Sequence, residues 1–461
     1  MLSWAVLALV IPILAFAALR MHPYTLLLFE FPFVVFGFSD WQIAGIRLDP
    51  TDLILMTLAV VARSRPLPDV TRARLRPMFA AWVALGLCMS VAYLMAPINQ
   101  HALSDPARIA YQLYRYCWRP ILFYPLMLLF VSNDERRLDG VTSAILIGGT
   151  MAASMAIVQG YSGNPAIGPY DGRNALGGGL VAPCVLAVAL VAVEHRKRRW
   201  QLAVIAAILI ARGLLFCGSR GAFVGATAGI ALFFGFFILS GTGLTRVLRY
   251  AGAGLALAVV MLIANPEILN KTSIQHLLSA TGGTSDDNMQ WRMQQRWPHF
   301  IAMLNESPWV GIGTDQDHSL SRVGNTPHNG YISLALFHGV PAALLYTLFG
   351  ITSIFRGIRI YSRAGPSAGD RLFALAAAAS IAGVMVHNIV ETTLMASFTQ
   401  NIFWSLCALI GCRAVRPPHP TLGTVAATAS APRRPRRPAP RRLRPAQTAT
   451  PLAPPKPGDA S

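Results

Sequence analysis

The stretch ALGGGLVAPCVLAVALVAVE, residues 175–194, decides the fold. It runs uncharged as far as Glu194 and is followed at once by the cations Arg196, Lys197, Arg198 and Arg199. As a helix rising about 1.5 Å per residue it spans roughly 30 Å, the thickness of a bilayer's hydrocarbon core. Only helices and closed barrels satisfy their backbone groups in lipid, and the two-residue alternation of a barrel strand is absent. Comparable apolar runs cover 2–20, 24–39, 51–62, 78–97, 109–130, 140–160, 201–217, 222–240, 250–265, 329–350, 372–390 and 394–412. The expected fold is therefore an all-α polytopic transmembrane bundle of about 12 helices, its N-terminal count blurred by two short runs.

Composition agrees. Charged residues make up 13% of the 461 and hydrophobic ones 54%, whereas a soluble domain carries about 25% charged. The net charge is +19, yet residues 413–461 hold ten Lys or Arg against one acidic residue. The excess thus gathers at one end and is no sign of nucleic-acid binding. The six cysteines form no CxxC pattern, so neither a disulfide framework nor a zinc site is expected. The first run lacks a basic leader and reads as an uncleaved helix rather than a signal peptide.

Alternate loops carry 17 Lys or Arg, including Arg136, Arg137, Arg196, Lys197, Arg198, Arg199, Arg356, Arg359 and Arg363. The intervening loops carry seven, four of them in the long segment 266–327. The positive-inside rule puts the first set in the cytoplasm and makes 266–327 one large periplasmic loop. Its tryptophans Trp291, Trp297 and Trp309 suggest an ordered segment dipping into the interface. Residues 1–412 then form the membrane domain, and 413–461 a disordered basic Pro/Ala/Arg-rich cytoplasmic tail.

Charges at the outer half of a membrane are costly and tend to mark sites. Arg220 lies in the short turn Cys217-Gly218-Ser219-Arg220-Gly221; the plainer alternative is an arginine snorkelling to headgroups. Arg292 and Arg296, four apart between Trp291 and Trp297, would share a helix face and grip a diphosphate, or else lipid phosphates. Pro298 offers a point where that helix could break. His328, in Pro327-His328-Asn329-Gly330-Tyr331, could take a proton from an attacking hydroxyl, although a histidine at a helix start is often structural. His387 and Glu391, i and i+4, could pair and shape the site. Arg115, Arg119 and Arg212 read as structurally paired. The acidic pairs Asp315/Asp317 and Asp286/Asp287 make a poor metal site, and no Walker loop or GxSxG occurs.

These motifs together resemble the O-antigen ligase and polymerase superfamily. The resemblance rests on Arg292 to Trp297, Ser307-Pro308-Trp309-Val310-Gly311-Ile312-Gly313, the Pro-His-Asn stretch, Ser219-Arg220-Gly221-Ala222, and Tyr170-Asp171-Gly172-Arg173-Asn174-Ala175, over roughly residues 170–400. It implies an inverting, metal-independent, cofactor-free glycosyltransferase in the bacterial inner membrane, its active site facing the periplasm. The donor would be a glycan on undecaprenyl diphosphate and the acceptor a hydroxyl: lipid A core for a ligase, a growing glycan for a polymerase, or a protein. Carried over, Arg220 and His328 would be catalytic together with the loop arginine Arg292, while Arg296, Arg173, Asn329 and the His387/Glu391 pair are expected to bind substrate. The family's loop arginine stands four places before the tryptophan, where this chain has Met293. Arg292 is favoured as its counterpart, with Arg296 the alternative. A lipid-linked sugar transporter is the rival from another class, and the one large external loop speaks against it.

Overall fold

The computed structural model describes residues 69–95, 113–131, 135–161, 172–194, 196–239, 290–313, 327–363, 368–392 and 397–415. It adds isolated positions at 24–31, 41–43, 46–48, 52–59, 109–110 and 166–167. The chain divides after Pro417, and every described residue belongs to the first unit. The runs at 2–20 and 250–265, much of the loop 266–327 and the tail beyond Val415 lie outside the described residues.

The helices are α1 (Asp69–Met95), α2 (Arg119–Val131), α3 (Glu135–Gly160), α4 (Arg173–Val193), α5 (Lys197–Cys217) and α6 (Arg220–Leu239). They continue with α7 (Trp297–Glu306), α8 (Gly330–Ser362), α9 (Ala368–Val390) and α10 (Ser397–Val415). A three-residue hairpin pairs β1 (Trp41–Ile43) with β2 (Ile46–Leu48). Among the described residues seven helices are long and apolar enough to cross a membrane: α3, α4, α5, α6, α8, α9 and α1 from Pro77 onward. Within the run 109–130, read as one helix, a π turn over Leu113–Trp118 leads directly into α2. Pro120, in the first turn of α2, has no N–H to give to a regular helical hydrogen bond at that junction.

Small residues set the packing. Gly221, Gly225 and Gly229 form one stripe on α6, and α9 answers with His387, Gly383 and Ala379. A Cβ at 225 would stand 2.6 Å from the Gly383 carbonyl oxygen, and one at 229 would stand 2.7 Å from that of Ala379. Lipid gives helices no hydrophobic drive to associate, so close backbone approach through small side chains does the work. The stripe runs antiparallel and so aligns the start of α6 with the end of α9.

Helix α8 outruns its expected end at 350 by a dozen residues and is broken at Gly339 (φ 79°, ψ 160°), just before Pro341. The break frees polar groups that the segment Ser307–Gly313 satisfies. Ile312 N–H donates to the Leu336 carbonyl at 2.7 Å, and Val340 N–H donates to that of Pro308 at 2.8 Å. Buried backbone groups need such partners in a membrane, and a docked loop can supply them. This dock ties α7 to α8. A Cβ at Gly339 would meet the Trp309 carbonyl oxygen at 2.1 Å and would sit in the left-handed region. Gly339→Ala should therefore lose about 2 kcal/mol or more of stability. A thermal melt in detergent with an unchanged midpoint would contradict the dock.

Candidate active site

Where α9 ends, Glu391 continues its last turn, its N–H donating to the His387 carbonyl at 3.1 Å. The carboxylate is nearly buried, with 9% of the side chain exposed. Oε1 accepts from Asn174 Nδ2 at 2.7 Å, and Arg292 Nη1 lies 3.4 Å away. Oε2 faces His328 Nδ1 at 3.0 Å. The same Arg292 nitrogen donates to the Val390 carbonyl at 2.8 Å. One carboxylate thus joins three segments far apart in sequence.

His328 has a positive φ of 49°, in the left-handed region, where an ordinary side chain costs about 1–2 kcal/mol. The surroundings hold it there. Asn329 caps α8, its Oδ1 accepting from the N–H groups of Tyr331 and Ile332 at 3.0 Å. Its Nδ2 donates to the Ile389 carbonyl at 2.9 Å. Tyr331 donates its hydroxyl to the Met385 carbonyl at 2.8 Å, and Trp297 its indole N–H to the Pro327 carbonyl at 3.1 Å. With Nδ1–H given to Glu391, the Nε2 lone pair remains to accept a proton. The side chain is 27% exposed, enough for a ligand to reach it.

Three helices begin at this place. Asn174 opens α4 against Glu391, and Asn329 opens α8 against the end of α9. Arg220 starts α6, where a Cβ on Gly221 would come within 2.6 Å of Val390 Cγ2 and 3.4 Å of His387 Nε2. Helix N-termini carry partial positive charge and unsatisfied N–H groups. None of these three has an acidic residue in its first turn, and two start on an arginine, Arg173 and Arg220. The field at this end of the bundle favours an anion.

Arg292 to Arg296 forms a π turn, closed by Trp297 N–H donating to the Arg292 carbonyl. A π turn takes one residue more than an α turn. Arg292, five places before Trp297, therefore stands where an α-helix would put the residue four places before. Pro298 does not break the segment, since it occupies the first turn of α7, where no N–H is required. Arg296 is 9% exposed with its Cζ 5.2 Å above the Trp291 ring, and its Nη2 is buried without a hydrogen-bond partner among the described residues. Burial and the neighbouring Arg292 charge hold its pKa below the ordinary arginine value, with Glu391 opposing them.

The structure thus brings His328, Asn329, Arg292, His387 and Glu391 into contact around one point, with Arg173, Arg220 and Arg296 in the adjoining segments. Two residues of the quoted motifs are placed at the site only here. Asn174 holds Glu391, and Ser219 Oγ is buried beside Gly177 without a partner among the described residues. The glycine stripe of α6 was the available sequence signal for the convergence. Elsewhere Arg119 pairs with Asp52, to which the Tyr114 hydroxyl also donates at 3.3 Å. Arg212 bonds the Tyr161 hydroxyl and lies over that ring and Phe216. Trp309 is 76% exposed, at the outer edge of the dock. Among the described residues no three His, Cys, Asp or Glu side chains are grouped to hold a metal ion. The pairs Asp286/Asp287 and Asp315/Asp317 lie outside the described residues.

No curated protein matches the chain. A family model described as O-antigen ligase matches residues 205–347, while Asn174, His387 and Glu391 fall outside that match. The matched stretch holds Arg220, Arg292, Arg296 and His328 on one multi-pass membrane bundle, and over residues 205–347 the chain is similar to the O-antigen ligase family.

Proposed function

We propose that this protein moves a glycan from an undecaprenyl diphosphate carrier to a hydroxyl acceptor, lipid A core, at the periplasmic face of the inner membrane. The observation that carries this reading is the Glu391 carboxylate, which orients His328 through Oε2 while Arg292 and Asn174 hold Oε1.

The acceptor hydroxyl attacks the anomeric carbon from the face opposite the diphosphate, inverting that centre. Its proton passes to His328 Nε2, and the bond to the diphosphate oxygen breaks with its electron pair. Glu391 keeps the imidazole in the tautomer able to accept that proton and stabilises the imidazolium that forms. Charge growing on the diphosphate meets Arg220, Arg296 and the N-termini of α4, α6 and α8. Such preorganised charges in a water-poor site need no reorganisation during reaction. Arg296 suits this task because its buried Nη2 has capacity to spare, whereas Arg292 is engaged by Glu391 and Val390. His387 and Asn329 position the segment that carries Glu391.

Orientation is supported by the opposite end of the bundle, where Arg137, Arg196, Lys197, Arg198, Arg199, Arg356, Arg359 and Arg363 gather, as expected for a cytoplasmic face. Reconstitution with a lipid-diphosphate glycan and candidate acceptors, read by product mass, tests the proposal. A single transfer to lipid A core is the expected product. A chain growing on the carrier would make the enzyme a polymerase instead, and a glycosylated protein a protein transferase. Arg220→Ala should insert normally yet lose transfer, and full activity would remove Arg220 from the mechanism.

A further inference from the structure

The end of the bundle away from Glu391 holds a groove that the reaction does not use. Helix α4 runs about 30 Å from Asn174 at the site to this far end. Here a cavity of about 690 Å³ opens between α3 and α5, walled by Leu146, Ile147 and Met151 on one side and Leu202 and Ile205 on the other. On α3 the lining positions extend from Asp139 to Met155, roughly 24 Å at helical rise. That exceeds the roughly 15 Å half-thickness of a hydrocarbon core, so an acyl chain fits lengthwise. Three of the four hydroxyls in the wall are already used. Thr142, Ser143 and Ser154 donate to carbonyls one turn back on their own helix, which leaves apolar surface facing the groove.

The mouth is cationic. Arg196, Lys197, Arg198 and Arg199 are all exposed at the start of α5, with no capping side chain on Arg196 and no acidic residue in the first turn. Four cations at the positive end of a helix dipole reverse the favourable arrangement, and the first-turn N–H groups lack helical partners. Two acids, Asp139 and Glu194, line the groove itself, where Arg199 is the one lining cation; Arg196, Lys197 and Arg198 lie beside it on the same turn. Glu194 accepts from Arg196 N–H at 2.9 Å, and Asp139 meets Arg199 Nη1 at 3.1 Å in a half-exposed pair. Counting the exposed cations next to the lining, four against two acids, positive charge stays in excess beside the apolar groove.

We infer that this groove holds an anionic phospholipid of the phosphatidylglycerol class, its acyl chain between α3 and α5 and its phosphate at the first turn of α5. The phosphate meets N–H donors and guanidinium groups there and removes the repulsion among the four cations. A zwitterionic lipid would bring its own cation to the same place and gain less.

The test uses the full chain, stripped of lipid in detergent. It is titrated separately with phosphatidylglycerol, phosphatidylethanolamine and phosphatidylcholine of identical acyl chains, and bound lipid is counted by native mass spectrometry. One phosphatidylglycerol should bind at least about tenfold more tightly than either zwitterionic lipid. The triple variant Lys197→Gln/Arg198→Gln/Arg199→Gln should lose roughly fivefold per cation removed, erasing that preference. Ile147 and Ile205 line the groove and are each more than half exposed. Tryptophan at both should weaken all three lipids while the protein still inserts. Asp139→Asn removes a competing carboxylate and should tighten phosphatidylglycerol several-fold, a gain that no unfolded variant can mimic. Equal binding of the three lipids, an undiminished affinity in the tryptophan pair, no gain in Asp139→Asn, or no bound lipid at all would each overturn the inference.

Discussion

Glu391→Gln should abolish glycan transfer almost completely while leaving the fold intact. Oε1 already receives Asn174 Nδ2 and lies beside Arg292 Nη1, and both of these groups only donate. In the amide variant the oxygen must keep that place, so the NH2 group turns toward His328. Nδ1, 3.0 Å away, must then accept instead of donate, which moves the ring proton onto Nε2. A base whose accepting nitrogen already carries a proton cannot deprotonate the acceptor. The matching change in a serine-protease triad costs about 10⁴ in turnover, and a loss of 10³ or more in kcat is expected here with KM little changed. Glu391→Asp, which restores the charge, should recover part of the rate. Glu391→Ala should behave differently, leaving Arg292 nearly buried without its counter-charge and costing about 3–5 kcal/mol of stability. A Glu391→Gln enzyme with wild-type kcat would show that His328 is no base oriented by this carboxylate.

His328→Asn should lose about 10² to 10⁴ in transfer rate. Asparagine accepts the left-handed backbone that position 328 adopts at φ 49°, so the turn leading into α8 survives and only the titratable ring is lost. Detergent melts should stay within about 1 kcal/mol of wild type. Binding of the lipid-diphosphate donor should persist, because the groups assigned to it are the arginines and the helix N-termini. If single-turnover measurements show unchanged chemistry in this variant, the proton acceptor lies elsewhere. Combined with Glu391→Gln, the second substitution should add little, since two residues acting as one unit are not additive.

The membrane class and the positions of most described helices were legible in the chain because hydrocarbon thickness imposes a length and forbids charge. Runs such as 140–160, 201–217 and 372–390 fall within or close to observed helices for that reason. His328 stood out as a histidine and Arg220 as a cation in a glycine turn, both read from local composition. The break in α8 at Gly339 was not legible. It depends on Ser307–Gly313 lying close enough to take up the freed backbone groups, and hydropathy says nothing about that.

The same limit applies to the site. Glu391 looked like a partner for His387 because the two are one helical turn apart, yet its carboxylate oxygens meet Asn174, Arg292 and His328, residues 63 to 217 positions away in the chain. What the chain determined by itself was local: which segments enter lipid, where cations accumulate, and which residues carry usable protons or charge. Only the tertiary structure decided which of them meet. The α6 stripe of glycines sets the approach of α9, the π turn sets the register of Arg292, and the dock on α8 brings its helix N-terminus beside both. Side-chain meetings of this kind follow from how backbones pack at close range, and spacing along one chain does not encode them.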